Sequence, residues 1–307
     1  MSEALPLDAR IKARILVPFA ITTLIWGSTW LVIRGQLGPV GAIWSVSYRF
    51  GIGALAMLGV AVATRVRIGI GWHGQVLAAA MGLITFALGY NLVYAAERTV
   101  TSGVVAVLFA LLVPMNALLG RLFLGQGLSR PFLVGSGIAM LGVILLFVHE
   151  WAAAGAGQAQ ALTGIVYALL AMVFSSSGNV LQAAKSAKKL PMPALLTWGM
   201  GWGALFDAIA AWATEGPPTF DPSLSYVAGL LYLGIVASAV AFSLYFNLIR
   251  RIGPARAGYV NVVVPVIAMG FSSLFEHYVW SPEAAIGGLL TVAGLAVALQ
   301  TRVEPRA

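Results

Sequence analysis

The sequence contains no cysteine, which removes disulfide bridges, thiolate metal sites and thiol nucleophiles and leaves the redox compartment unreadable. Histidine is nearly as scarce: His73, His149 and His277 fall in expected loops or at helix ends. His149-Glu150 opens a pattern like the HExxH of zinc proteases, but the fifth position is Ala153, so the second ligand is missing. No G-x-S-x-G elbow, phosphate-binding loop or pair of intramembrane aspartates is present. These absences argue against an intramembrane enzyme, and no metal or cofactor is implied.

Charge is the next deficiency. Asp, Glu, Lys and Arg make up 9% of the 307 residues, against 60% hydrophobic residues, and the mean hydropathy is +0.92. A soluble core has no use for this much apolar surface, whereas a polytopic helical membrane protein requires it. The net charge of +8 is spread over short loops without a basic stripe, so nucleic acid is not an expected partner. The expected partners are the lipid bilayer and a small-molecule substrate.

Apolar runs of spanning length occupy 15–33, 42–63, 74–96, 101–124 and 130–148, then 162–184, 193–213, 224–249, 257–278 and 282–300. The first continues for a full span with no small-residue cleavage site, and is read as a helix, not a cleaved signal. The expectation is an all-α membrane protein of ten transmembrane helices. Setting Pro114 on Pro265 also sets Trp26-Gly27-Ser28 on Ser177-Gly178-Asn179, and with one residue of slippage Gly135 and Gly142 fall on Gly287 and Gly294. The chain thus reads as two five-helix repeats, 1–155 and 156–307. Because five is odd, the second repeat enters the membrane inverted, as in many alternating-access transporters.

Basic residues are retained on the cytoplasmic side of a membrane. With the N-terminus inside, fifteen of them lie there: Arg10, Lys12, Arg14, Arg65, Arg67, Arg121, Arg130, Lys185, Lys188, Lys189, Arg250, Arg251, Arg256, Arg302 and Arg306. Arg34 and Arg98 alone lie outside, and Arg49 falls within a span. Both termini are therefore expected in the cytoplasm, most simply of a bacterial cell bounded by its inner membrane.

Several local patterns resemble the drug/metabolite transporter superfamily, in particular its EamA-type ten-helix exporters. They are Trp26-Gly27-Ser28-Thr29-Trp30, Arg49 in the second helix, and Gly103 to Pro114 followed by Leu124-Gly125-Gln126-Gly127-Leu128-Ser129 with Gly135 and Gly142. The second half repeats the last of these as Ile252-Gly253-Pro254-Ala255-Arg256-Ala257, Pro265, Glu276, Gly287 and Gly294. Gln126 replaces the usual Glu of that family, and His277 to Trp280 departs from its G-E-R run. The aromatic-rich central helices look most like the YddG-type exporters of aromatic amino acids. The resemblance implies a secondary transporter of small neutral metabolites, foremost aromatic and other neutral amino acids. The alternative is a drug, nucleoside or nucleotide-sugar carrier of the same superfamily, since fold alone does not choose a cargo.

Candidate site residues follow from polar and aromatic groups at membrane depth. Phe86, Tyr90 and Tyr94 recur at helical spacing with Asn91 beside them; they line a cavity, or Tyr94 joins the interfacial belt and Phe86 packs. Trp26 is too deep for that belt, and its indole N–H needs an acceptor, which a backbone carbonyl or a ligand supplies. Asn179 is the strongest ligand candidate in the polar run Ser175 to Gln182. Pro114 and Pro265 each remove a backbone hydrogen bond near mid-span and are candidate hinges, with Asn116, Tyr259 and Asn261 nearby. Arg49 and Asp207 are the two charges expected within spans, as an ion pair, as structural anchors, or with Arg49 facing a substrate carboxylate.

The cysteine-free background makes the topology directly testable. A single cysteine at Gln158 is expected to react with an impermeant maleimide in intact cells, and one at Lys188 only after permeabilisation. The opposite labelling would reverse the orientation.

Overall fold

The computed structural model describes residues 7–153, 158–258, 260–277 and 280–299, and within them the chain is helix joined by turns. In hydrocarbon a backbone N–H has no water to bond, so a spanning segment must satisfy itself as a helix. Eight helices are long and apolar enough to cross a bilayer: α1 (Leu7–Gly35), α2 (Ala42–Ala63), α3 (Gly71–Glu97), α4 (Ser102–Leu124), α6 (Gln158–Ala183), α7 (Met192–Thr214), α8 (Leu224–Ile252) and α9 (Pro254–Phe275). Between and after them stand α5 (Arg130–Ala153) and α10 (Pro282–Leu299).

Two helices are irregular in a way the hydropathy pattern did not foretell. Gly82–Gly89 in α3 and Tyr232–Val240 in α8 are π-helical, the wider turn that often marks a functional site. Each lies against a glycine of another helix. A Cβ on Gly203 of α7 would strike Phe86 and the Gly82 carbonyl, and one on Gly53 of α2 would strike the Gly234 carbonyl. The sequence spacing Gly199-x-x-x-Gly203 is thus a backbone-to-backbone contact with α3, the use such spacing commonly has in membranes.

The prolines act differently from one another. In α4 the helix divides at Ala110–Leu111, between Ser102–Phe109 and Leu112–Leu124, just ahead of Pro114. In α9, Val260–Phe275 runs through Pro265 unbroken, and the interruption falls earlier, at Gly258, after the short turn Pro254–Ala257. The expectation of matched mid-span interruptions at the two prolines therefore needs correcting: the breaks sit one to two turns N-terminal of them.

The linker after α7 secures the start of α2. Glu215 accepts the Ile43 and Trp44 backbone N–H groups, both at 3.3 Å, and the Trp44 indole donates to the Gly216 carbonyl at 3.2 Å. A carboxylate there meets the orphan donors and the positive end of the helix.

Helices 1–5 and 6–10 pack reciprocally. α2 lies on α7, α4 on α9 and α5 on α10; α1 meets α8 and α9, while α6 meets α3 and α4; α3 packs on α7 as α2 packs on α8. The α5–α10 pair stands mainly on itself and closes through glycine. A Cβ on Gly142 would run into the Gly287 carbonyl and the Thr291 backbone, and one on Gly294 into Ala139 and the Gly135 carbonyl. Gly137, between Gly135 and Ala139 but on another face of α5, faces open space. Gly142→Ala is therefore expected to cost about 1–3 kcal/mol by overpacking and to lower the melting temperature in detergent. Gly137→Ala is expected to leave it unchanged or slightly raised, since Ala is the better helix former.

Candidate functional site

Between the two sets of helices lies a cavity walled by aromatic rings. Trp26 and Trp30 come from α1, Tyr90 from α3, Phe109 from α4, and Phe242 and Tyr245 from α8. The rings touch edge to face: Trp26 sits 5.3 Å from Phe242 and 4.7 Å from Tyr245, and Trp30 sits 5.0 Å from Phe109. Such edge-to-face contacts are the favoured geometry for ring quadrupoles. Polar groups interrupt the wall at Thr29, Thr85, Ser175, Asn179 and Asn261, and among the described residues no charged side chain lines it. The centre of a water-sized sphere sweeps about 60 Å³ of this space. One water needs roughly 10–15 Å³ by that measure, so the cavity holds a handful of waters or a small ligand and must widen for a whole tryptophan.

The Trp26 indole donates to the Ala237 carbonyl at 3.2 Å. That carbonyl belongs to the π-helical part of α8, so the irregular backbone and the deep indole satisfy one another. Asn179 is held by two partners, donating to Asn116 Oδ1 at 3.2 Å and to the Tyr245 hydroxyl at 3.3 Å. Asn116 donates in turn to the Pro254 carbonyl at 3.3 Å. Asn116 thus stands behind the wall and orients Asn179, linking the break in α4 to the turn that begins α9.

The residues expected from the sequence divide among several places. Trp26, Tyr90, Asn179 and Asn261 line the cavity. Phe86 is fully buried between α7 and the rings of Phe50 and Phe242, at 4.8 and 5.2 Å. The π-helical stretch Gly82–Gly89 shifts the register so that Thr85, not Phe86, shares the cavity face with Tyr90; beyond it, in regular helix, Val93 borders the cavity and Tyr94 is fully buried away from it. Asn91 donates to Asp207 Oδ1 at 2.7 Å. Tyr259 lies outside the described residues.

Arg49 and Asp207 do not pair; among the described residues the ion pair is Arg34–Glu276, at 3.6 Å. Arg49 is wholly buried. Its Nε donates to the Ser238 hydroxyl at 3.0 Å, and its guanidinium lies 4.4 Å from the Tyr90 ring centre and 5.3 Å from that of Phe50. Tyr90 therefore has a cation on its ring and the cavity as its other neighbour. A cation on an aromatic face recovers part of what burial costs it.

The polar cluster around Arg34 was not anticipated. Arg34, at the end of α1, donates to the carbonyls of Glu97 and Val100 at 2.7 and 2.9 Å. Glu276, just beyond α9, also accepts from the Ser102 hydroxyl and, at 3.4 Å, from its backbone N–H. The Glu97 side chain is fully buried beside them. Phe242 and Tyr245 were missed too, although the repeat offers a signal: the offset that matches Pro114 to Pro265 carries Tyr94 onto Tyr245 and Asn91 onto Phe242.

Comparison with known proteins agrees with this architecture. The model of the EamA-like transporter family matches residues 14–148 and again residues 162–300. The chain is 26% identical over 283 residues to YdfC, an uncharacterized transporter of Bacillus subtilis, covering 92% of this chain and 90% of that protein. It is 27% identical over 251 residues to YedA, an uncharacterized inner membrane transporter of Escherichia coli K12, covering 80% and 78%. It is 25% identical over 186 residues to a probable amino-acid metabolite efflux pump of Salmonella typhimurium, covering 58% and 60%. A protein solved by crystallography shares the fold, with a TM-score of 0.70 at 18% identity over 94% of this chain and 97% of that one. With both halves matched to the same model, and with membrane-length helices around an uncharged aromatic cavity, the chain belongs to the EamA-like transporter family.

Proposed function

We propose that the protein exports small neutral amino acids, aromatic ones foremost, by alternating access between two inverted five-helix halves, 1–155 and 156–307. The observation that carries the cargo class is the cavity wall, which among the described residues has six aromatic rings with scattered hydroxyl and amide groups and no charge. Flat apolar side chains gain from such rings. A polycation would find no carboxylate there, and a nucleotide sugar would bring phosphates to a wall without a cation. The printed name of the Salmonella relative, an amino-acid metabolite efflux pump, points the same way. The inverted halves are supported by the two successive family matches and by helix contacts that persist when helices 1–5 are exchanged for 6–10.

The setting is a bacterial inner membrane with both termini in the cytoplasm, supported by the basic-residue asymmetry and by the inner membrane location in the name of YedA. Ten helices then cross the bilayer, with α5 and α10 completing the eight longer spans. The Arg34–Glu276–Ser102 cluster closes the outer end of α1, α4 and α9. Passage is transport without chemistry on the cargo. Alternation needs the cavity to widen, and the breaks at Ala110–Leu111 in α4 and Gly258 in α9 are the positions where helix halves are free to tilt, with Pro114 and Pro265 weakening the hydrogen bonding beside them.

Purified protein in liposomes, given a panel of labelled amino acids, tests this. Phenylalanine and tryptophan are expected to move faster than threonine, and Tyr90→Ala to narrow that preference by roughly two- to tenfold, matching the 0.5–1.5 kcal/mol of a stacked ring. Tyr94→Ala, away from the cavity, is expected to lower thermal stability while keeping the preference. Transport of nucleosides or cationic drugs in place of any amino acid would overturn the proposal.

A further inference from the structure

The cavity wall contains buried polar groups with no well-formed hydrogen bond among the described residues. The indole nitrogen of Trp30 is buried and has no hydrogen-bond partner, and the same holds for the hydroxyl of Thr85; the amide nitrogen of Asn261 lacks one of good geometry, although the Tyr245 hydroxyl lies close by. All three residues line the cavity, and their side chains are almost wholly buried, at 8%, 6% and 2% exposed. An unpaired buried donor carries its full desolvation penalty, and native proteins leave few of them without a reason. Trp26, one turn earlier on α1, shows what the fold does with an indole it means to satisfy internally: it hands it a carbonyl. Trp30 receives none, and its ring is instead fixed edge to face against Phe109.

An indole N–H can only donate, and an amide NH2 likewise. The missing partner is therefore an acceptor. Two donors from α1 and α9 in a space without cations suit a group with two acceptor oxygens, and a carboxylate is the one an amino acid brings. We propose that the indole N–H of Trp30 and the amide of Asn261 form the subsite that receives the carboxylate of the transported molecule. This rests on the amino-acid reading above. The site leaves the ring of the cargo to the aromatic faces of Trp26, Tyr90 and Phe242. Its ammonium goes to the hydroxyls and ring faces that remain, since cations are held well over aromatic faces. Because α1 and α9 pack directly on one another, a carboxylate held by both would tie their relative position to occupancy.

Ligands that differ by one end group test this apart from transport. Thermal stabilisation of the detergent-purified protein by 3-phenylpropionate, phenylalanine and phenethylamine reads the carboxylate subsite directly. The wild type is expected to bind the two carboxylates at least tenfold more tightly than the amine, the scale of a hydrogen bond to a charged group. Trp30→Phe keeps the ring and deletes the donor, and is expected to remove most of that preference while phenethylamine binding stays the same. Asn261→Asp is expected to reverse it, favouring the amine. Equal binding of carboxylates and amine by the wild type would overturn the proposal, as would an unchanged preference in Trp30→Phe. Loss of the preference in Arg49→Gln with its retention in Trp30→Phe would also overturn it, placing the carboxylate on Arg49. Carboxylate binding without amino-acid transport in liposomes would leave the subsite standing and remove the amino-acid reading.

Discussion

A backbone carbonyl or N–H inside a bilayer has no water to turn to, and every irregularity of these helices must find a partner in the protein itself. The two π-helical stretches meet this demand in two ways. At Gly82 and Gly234 the backbone is pressed against a neighbouring helix through glycines of α7 and α2, so lipid is kept out. At Ala237 the carbonyl is taken by the Trp26 indole. The same arrangement that satisfies the backbone brings Trp26 beside Phe242 and Tyr245 and so builds one wall of the cavity. Take away the indole and both the helix and the wall lose their support.

Polarity inside the molecule is sorted by the same economy. Asn179 and Asn116 are tied into a chain that ends at the Pro254 carbonyl, and Asn91 is spent on Asp207. Arg49 is kept away from Asp207 and covered by the rings of Tyr90 and Phe50. A buried ion pair would have been a rigid link between α2 and α7, hard to break during a conformational change. A cation resting on a ring face is a softer link.

Much of this was legible in the sequence. The helices stand where apolar runs of membrane length fell, and the small-residue spacing of Gly199 and Gly203 became a close helix contact, as did the repeat landmarks Gly142 and Gly287. Trp26, Tyr90, Asn179 and Asn261 reached the cavity. What failed were arguments that assumed a regular helix: the stripe from Phe86 to Tyr94 presumes 3.6 residues per turn, and the π-helical segment before Tyr90 breaks that count. Proline marked the neighbourhood of the breaks in α4 and α9 but not their positions, because Leu111 and Gly258 give way first. Contacts between distant helices, such as Arg34 with Glu276, have no local signature, since loop charges far apart in sequence give no hint of which will meet.

The Arg34 cluster has a further consequence for how this end of the molecule is held. One partner of its ion pair is 41% exposed and the other 9%, and its remaining ties are hydrogen bonds from Arg34 to two carbonyls and from Ser102 to Glu276. With Arg34 open to solvent, such a pair contributes only about 0–1 kcal/mol, because water offers the guanidinium nearly equal bonding. This end of the molecule is thus fastened by contacts that exchange readily for hydration, unlike the apolar packing deeper between the helices. Such a fastening parts and re-forms on thermal energy alone, behaving more like a wet seam than a bolt.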